Sequence, residues 1–274
     1  MYNFWNALED DVRKAVSRQN NVSLFTNIKL ELMETLRPEF SSKSIHIHTF
    51  GSRVMGVAGP DSDLDLYVDI GNCSGIYSDT PTKEVLQQGE VIKKAIQKAA
   101  SKWDFLGISG GRCPVIVVRH RNSNIQCDIS FSNSMTLGQN QLVNYIFELQ
   151  PIARYMVVYL RGWAKKQDIW SDFRSHLLVL MVIFVLQRQG QLPTINQLQH
   201  ALQPDVGPWI TKFCKLELNH FKINKIPTNG DQARQALSSF FRYYSNFNFS
   251  HFVVCPYLGR EILRCELNYF MPHR

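Results

Sequence analysis

Residues 62–70 read SDLDLYVDI, a stretch that alternates without a break. Leu64, Leu66, Val68 and Ile70 fall on one side, and Asp63, Asp65 and Tyr67 on the other. A period of two belongs to an extended strand with two unlike faces. The aliphatic face needs a core to cover it. The other face brings Asp63 and Asp65 to the same side, about 7 Å apart at the backbone.

The neighbouring patterns say what surrounds that strand. SIHIHTF, residues 44–50, also alternates and predicts a strand. PVIVVRH and NIQCDISF predict two more strands, joined by the turn signal RNSN. Residues 83–103 carry the spacing of an amphipathic helix, and residues 3–40 read as helix throughout. From Gln139 onward the pattern is helical. Pro151 separates a helix ending near Leu149 from one over 152–166. Further helices are expected over 173–188, 194–202, 206–218 and 230–245, and HFVVCPYLGREILRCEL reads as a short hairpin. Strands thus cluster between residues 44 and 131, with helices before and after. The expected fold is α+β, with a small mixed-sheet domain over 41–136. Residues 1–40 and 137–274 would form a helical domain, with a cleft between the two.

With 274 residues, 45% of them hydrophobic, the chain can bury a sizeable core. Its net charge of +7 suits an anionic partner such as nucleic acid, although many ordinary proteins are as basic. The six cysteines include no C-x-x-C pair and no zinc spacing, so reduced core thiols are expected. MYNFWNALEDDVR lacks the basic and apolar regions of a signal peptide, and its early acids argue against a transit peptide. The longest apolar run, Leu177–Leu186, is too short to span a bilayer and reads as a buried helix. No membrane association is expected. The expected location is the cytoplasm, with the nucleus open.

Asp63 and Asp65 can converge, and two carboxylates about 4 Å apart repel by roughly 4 kcal/mol at an effective dielectric of 20. A proton, a basic partner or a metal must relieve that repulsion, and hard oxygen ligands suit Mg²⁺. Asp128 is a third candidate. Its neighbours Cys127, Ile129 and Phe131 form an apolar face, so Asp128 points the other way. If its strand lies beside SDLDL, the three acids share one site. Asp61 and Asp69 have weaker claims, Asp61 as a turn or cap residue. Upstream, Gly51 and Ser52 open a glycine-containing loop of the kind that presents backbone N–H groups to an anion.

GSRVMGVAGPDSDLDLYVDI resembles the G-S…D-x-D signature of the nucleotidyltransferase superfamily that includes DNA polymerase β. More narrowly, it is similar to noncanonical poly(A) polymerases and terminal uridylyltransferases. CDISFSN, LRGWAKKQDI, SHLLVLMVIFVLQ and LSSFFRYYSNFNF resemble later segments of that family, in order. The resemblance implies a palm-like catalytic domain and a poly(A)-polymerase-associated helical domain. It implies addition of UMP or AMP, from UTP or ATP, to a single-stranded RNA 3′ end by a two-metal mechanism. Asp63 and Asp65 would bind both Mg²⁺ ions, with Mn²⁺ as a substitute. Asp128 would bind the ion that activates the RNA 3′-hydroxyl. Gly51 and Ser52 would hold the triphosphate, Asn133 would lie near the ribose, and Arg161 and Lys165 would face the γ-phosphate. Ser175 would contact phosphate, and a protein partner would choose the RNA.

Some positions depart from the family pattern. His176 stands where the family has a stacking aromatic, and either stacks or belongs to the core. Arg161 replaces a usual lysine. The next asparagine of the pattern falls at Gln139 or shifts to Asn140. The family's loop of the form I-E-D-P-F, which helps to choose the base, has no counterpart before Arg274, so base selection is in question. His46 and His48 read as ordinary strand residues, and the aromatic cluster from Phe240 to Phe249 reads as core rather than an RNA platform. Two other readings stay open: a catalytically weak RNA-binding scaffold, and a superfamily member acting on another acceptor.

Overall fold

A computed structural model describes residues 4–71, 80–111, 113–132, 135–171 and 173–267. The chain forms two compact units, residues 17–140 and residues 1–16 with 141–273. The first two helices are α1 (Phe4–Gln19) and α2 (Val22–Leu36), the latter capped by the Asn21 side chain on the Leu24 N–H. The sheet unit then runs β1 (His46–Phe50), α3 (Gly51–Val54), β2 (Leu64–Asp69), α4 (Lys83–Lys98), β3 (Trp103–Ser109), β4 (Val115–His120) and β5 (Ile125–Ser130).

The five strands form one mixed sheet in the order β1-β2-β5-β4-β3. The β2–β5 pair is parallel and the other three are antiparallel. On the inner face of β2, Leu64, Leu66 and Val68 are fully buried. They share a core with Phe25, Ile28, Leu32 and Leu36 of α2 and with Ile92 and Ile96 of α4. Burying one such aliphatic side chain contributes about 1.5–3 kcal/mol. This packing also corrects the expected partition, because α2, assigned to the helical domain on pattern alone, covers the sheet instead.

Two other expectations fail for local reasons. Trp103, expected to end a helix, opens β3, where it is buried and donates its indole N–H to Thr35 Oγ1. β3 is an edge strand with an irregularity between Phe105 and Gly107, and Leu106 and Ile108 are exposed, so its alternation was easy to miss. The helix expected over 206–218 does not form, and the one expected over 194–202 shrinks to four residues. Pro204, Gly207 and Pro208 interrupt that stretch, and proline disfavours helix both at its own position and before it.

The other unit contains α5 (Met135–Leu149, from residue 141), α6 (Ile152–Lys166), α7 (Ser175–Arg188), α8 (Ile195–Leu198), α9 (Gly230–Ser245) and the hairpin β6 (Phe252–Cys255) and β7 (Arg260–Leu263). The apolar run becomes α7, buried from Leu178 through Gln187 except at Leu180. On α6, Ile152, Met156, Leu160 and Ala164 form a buried stripe at four-residue spacing. Phe240 of the aromatic segment is core, whereas Phe249 is 46% exposed. Among the described residues no helix is long and apolar enough to cross a membrane.

Candidate active site

The parallel pairing of β2 with β5 sets Asp65 directly opposite Asp128, and Asp63 immediately precedes β2. One carboxylate oxygen from each of Asp63, Asp65 and Asp128 lies within 4.8 Å of the other two. Three charges at that spacing repel by about 3.5 kcal/mol per pair at an effective dielectric of 20. The carboxyl of Asp65 is accordingly pushed well above the ordinary range, first by burial and then by the charges of Asp63 and Asp128. The neighbouring Cys127 thiol is pushed up to about 12, chiefly by burial. Oxygen donors that repel one another in a half-buried site fit a hard divalent cation. Among the described residues this is the one group of three or more potential ligands so placed. His46 and His48 stay outside it, exposed on β1, where His48 stacks on Tyr67 at 6.5 Å.

The glycine turn stands against this cluster. Phe50 pairs with Asp65 across β1 and β2, so Gly51 leaves the strand beside the Asp65 side chain. Gly51 has φ +78°, and a Cβ there would lie 1.8 Å from Asp65 Oδ2. Glycine is therefore required twice, for the backbone conformation and for the space. The Gly51 N–H already donates to Asn140 Oδ1 at 2.8 Å, so one backbone donor expected to face an anion is engaged by the protein. Ser52 follows as a buried residue of α3.

Arg53 was not foreseen as part of the site. It is buried, and its Nε–H donates to the carbonyls of Ser62 and Asp63 at 3.0 and 3.1 Å. Its Nη2 donates to Ser62 O at 2.6 Å. The guanidinium thus ties the glycine turn to the backbone of the first aspartate. The only signal in the sequence was a lone cation in the otherwise uncharged run GSRVMGVAGP.

Asn133 lies outside the described residues. Arg161, Lys165, Ser175 and His176 belong to the helical unit. On α6, Arg161 is buried, and its guanidinium lies 4.9 Å from the Trp170 ring centroid, with the Lys165 ammonium 5.4 Å from the same ring. Both cations therefore share one indole. Ser175 is the first residue of α7. The ring of His176 reaches solvent, yet the protein mass around it lowers its pKa by desolvation.

The profile described as "Poly(A) RNA polymerase, mitochondrial-like, central palm domain" matches residues 6–148, just over half of the chain. The chain belongs to that family. It is 26% identical over 245 residues to the mitochondrial poly(A) RNA polymerase of Mus musculus, which covers 78% of this chain and 41% of that protein. It is 23% identical over 257 residues to terminal uridylyltransferase 4 of Mus musculus, covering 89% of this chain and 15% of that protein. The chain therefore spans well under half the length of these relatives. The crystal structure of mtPAP in complex with ATPgammaS superposes with a TM-score of 0.73 at 21% identity, over 93% of this chain and 59% of that one. The palm-like fold of the family is thus the fold of this chain, with its five-stranded mixed sheet.

Proposed function

We propose that this protein is a template-independent RNA 3′-terminal nucleotidyltransferase, adding UMP or AMP from UTP or ATP to an RNA 3′-hydroxyl. The observation that carries the reading is the convergence of Asp63, Asp65 and Asp128 beside the Gly51 turn. Its relatives are named for poly(A) synthesis and for uridylyl transfer, which is the same chemistry with two different bases. The donor set fits Mg²⁺, held by Asp63, Asp65 and Asp128. When bound, it lowers the pKa of the attacking hydroxyl and neutralises charge on the departing pyrophosphate. The work left to the chain is positioning and charge. In this proposal the turn at Gly51 and Ser52 orients the triphosphate, and Arg53 fixes that turn against Asp63. Arg161, Lys165 and Ser175 bind the terminal phosphates, Asn133 lies near the ribose, and His176 meets the base. A protein partner that selects the RNA, and the cytoplasm as compartment, belong to the same proposal.

The test is an extension assay with 5′-labelled single-stranded RNA, Mg²⁺ and each of the four nucleoside triphosphates separately. The expected result is a ladder with UTP or ATP that falls by about a thousandfold or more in Asp128→Ala, a loss of about 4 kcal/mol of transition-state stabilisation. A folded protein that binds RNA but extends it with no nucleotide would overturn the enzyme reading in favour of a scaffold.

A further inference from the structure

The helical unit carries a second concave place, open to solvent. A cavity of about 710 Å³ opens between the end of α9, the loop after it and the β6–β7 hairpin. That volume lies in the range of small-molecule sites, roughly 300–1,000 Å³. Phe247 and Phe252 line it with ring surface. Gln189, Ser239, Arg242 and Asn248 line it with polar groups. The side chains of Gln189, Ser239 and Arg242 make no hydrogen bond or ion pair with any described residue. Asn248 Oδ1 accepts from the Ser250 N–H and Oγ–H at 3.2 and 2.6 Å, which leaves its Nδ2 to donate elsewhere. The carboxylate in the wall, Glu261, is occupied by the Tyr243 hydroxyl and by Arg188 Nε at 3.5 Å.

Here aromatic faces stand beside uncommitted amide, hydroxyl and guanidinium groups. A nucleobase needs this combination, stacking on a ring while its edge takes up amide donors and acceptors. Charge agrees, since residues 242–264 carry Arg242, Arg260 and Arg264 against one acid, Glu261. Phe249, 46% exposed and 4.6 Å from the Phe247 ring, extends the aromatic surface beyond the cavity.

We propose that this cavity takes one unstacked base of the single-stranded RNA acceptor, a base other than the 3′-terminal one, with its phosphate on Arg242. The inference rests on the reading of RNA as acceptor, but it concerns affinity for the RNA body and not the chemistry. It is tested by fluorescence anisotropy of the full chain with a labelled, unstructured 20-nucleotide RNA, without divalent metal, over a range of salt. Extension of a trinucleotide primer is measured in parallel, and thermal unfolding checks each variant.

Phe247→Leu keeps apolar bulk and removes the stacking face, and should weaken binding about fivefold or more. Arg242→Gln, on the surface, should weaken it and reduce the salt slope by about one. Both should leave trinucleotide extension unchanged. Unchanged affinity in both variants would overturn the proposal, and the extension of the unaltered chain would still report on the enzyme reading. An equal loss on the trinucleotide would also overturn it, by tracing the effect to the active site or the fold. So would displacement of the RNA by free UMP or AMP at low concentration, which would mark a mononucleotide site.

Discussion

In the sheet unit three carboxylates are drawn within 4.8 Å of one another, and one of them is driven well up in pKa. In the helical unit Arg161 and Lys165 flank a single indole at 4.9 and 5.4 Å. Both are clusters of like charge, and the protein treats them oppositely. Burial and strand register force the acids together, so the metal-free cluster holds repulsion that only a proton or a cation relieves. The cations sit over the negative face of a ring, which steadies their charge and direction at little cost. The acid cluster should therefore respond steeply to anything that changes its geometry or charge, and the cation pair should respond weakly.

Gly51→Ala is the largest blow to the acid side of this comparison. The φ of +78° costs an L-residue about 1–2 kcal/mol, and the new Cβ would lie 1.8 Å from Asp65 Oδ2, so turn or carboxylate must move. We predict a loss of about 2–4 kcal/mol, seen as a drop in Tm of about 5–15 °C. The gain in Tm on adding Mg²⁺ should disappear with it. A variant that melts early yet keeps its full Mg²⁺ response would show that the turn does not hold Asp65 in place.

Asp128→Asn changes charge with little change in shape. Removing one of three mutually repelling carboxylates should raise the stability of the metal-free protein by about 1–2 kcal/mol, less than the bare Coulomb figure because water and Arg53 already screen the cluster. The urea midpoint should rise with m unchanged. The pH dependence has a definite sign. The folded pKa of Asp65 is raised, so the folded state holds its proton more tightly than the unfolded chain. The stabilising contribution is present at low pH and is lost as pH rises from the unfolded value, about 4, through the folded one. The fall should be shallower in Asp128→Asn, and Mg²⁺ should reverse it in the unaltered protein. Equal midpoints for the two proteins across that range would show that the cluster carries no net repulsion.

How far the sequence foretold these clusters follows from the range of the interactions that make them. Alternation, a local property, placed Asp63 and Asp65 on one strand face and turned Asp128 away from Cys127 and Ile129. The helices over 152–166 and 230–245 were equally legible from their periodicity. The parallel register that sets Asp65 opposite Asp128 joins residues far apart in the chain and could only be conjectured. Arg53 and Asn140 act through hydrogen bonds to backbone groups outside their own elements, and no pattern announces such contacts. The partner of α2 was misassigned because an amphipathic face shows that it will be covered, without showing by what.

Trp170 tests the weaker side of the comparison. It lies beyond the end of α6, and its half-buried ring is shared by Arg161 and Lys165. Trp170→Leu keeps apolar bulk and removes the ring face that attracts both cations. Such contacts are worth about 0.5–1 kcal/mol at exposed sites and up to about 2 when desolvated. If the pair binds the terminal phosphates, loosening the two side chains should raise the KM for the nucleoside triphosphate about two- to fivefold, with kcat nearly constant. Loss of binding shared by ground and transition states has that signature. Stability should fall by about 1–2 kcal/mol, since the buried Arg161 guanidinium loses the ring face it packs against. An unchanged KM would mean either that the pair does not touch the nucleotide or that the indole does not hold it. Arg161→Gln separates these, because a phosphate-binding Arg161 raises KM whether or not Trp170 is present. If Arg161→Gln alone raises KM, the ring is packing and the contrast between the clusters is one of burial. If both raise it, the indole is a working part of the nucleotide site.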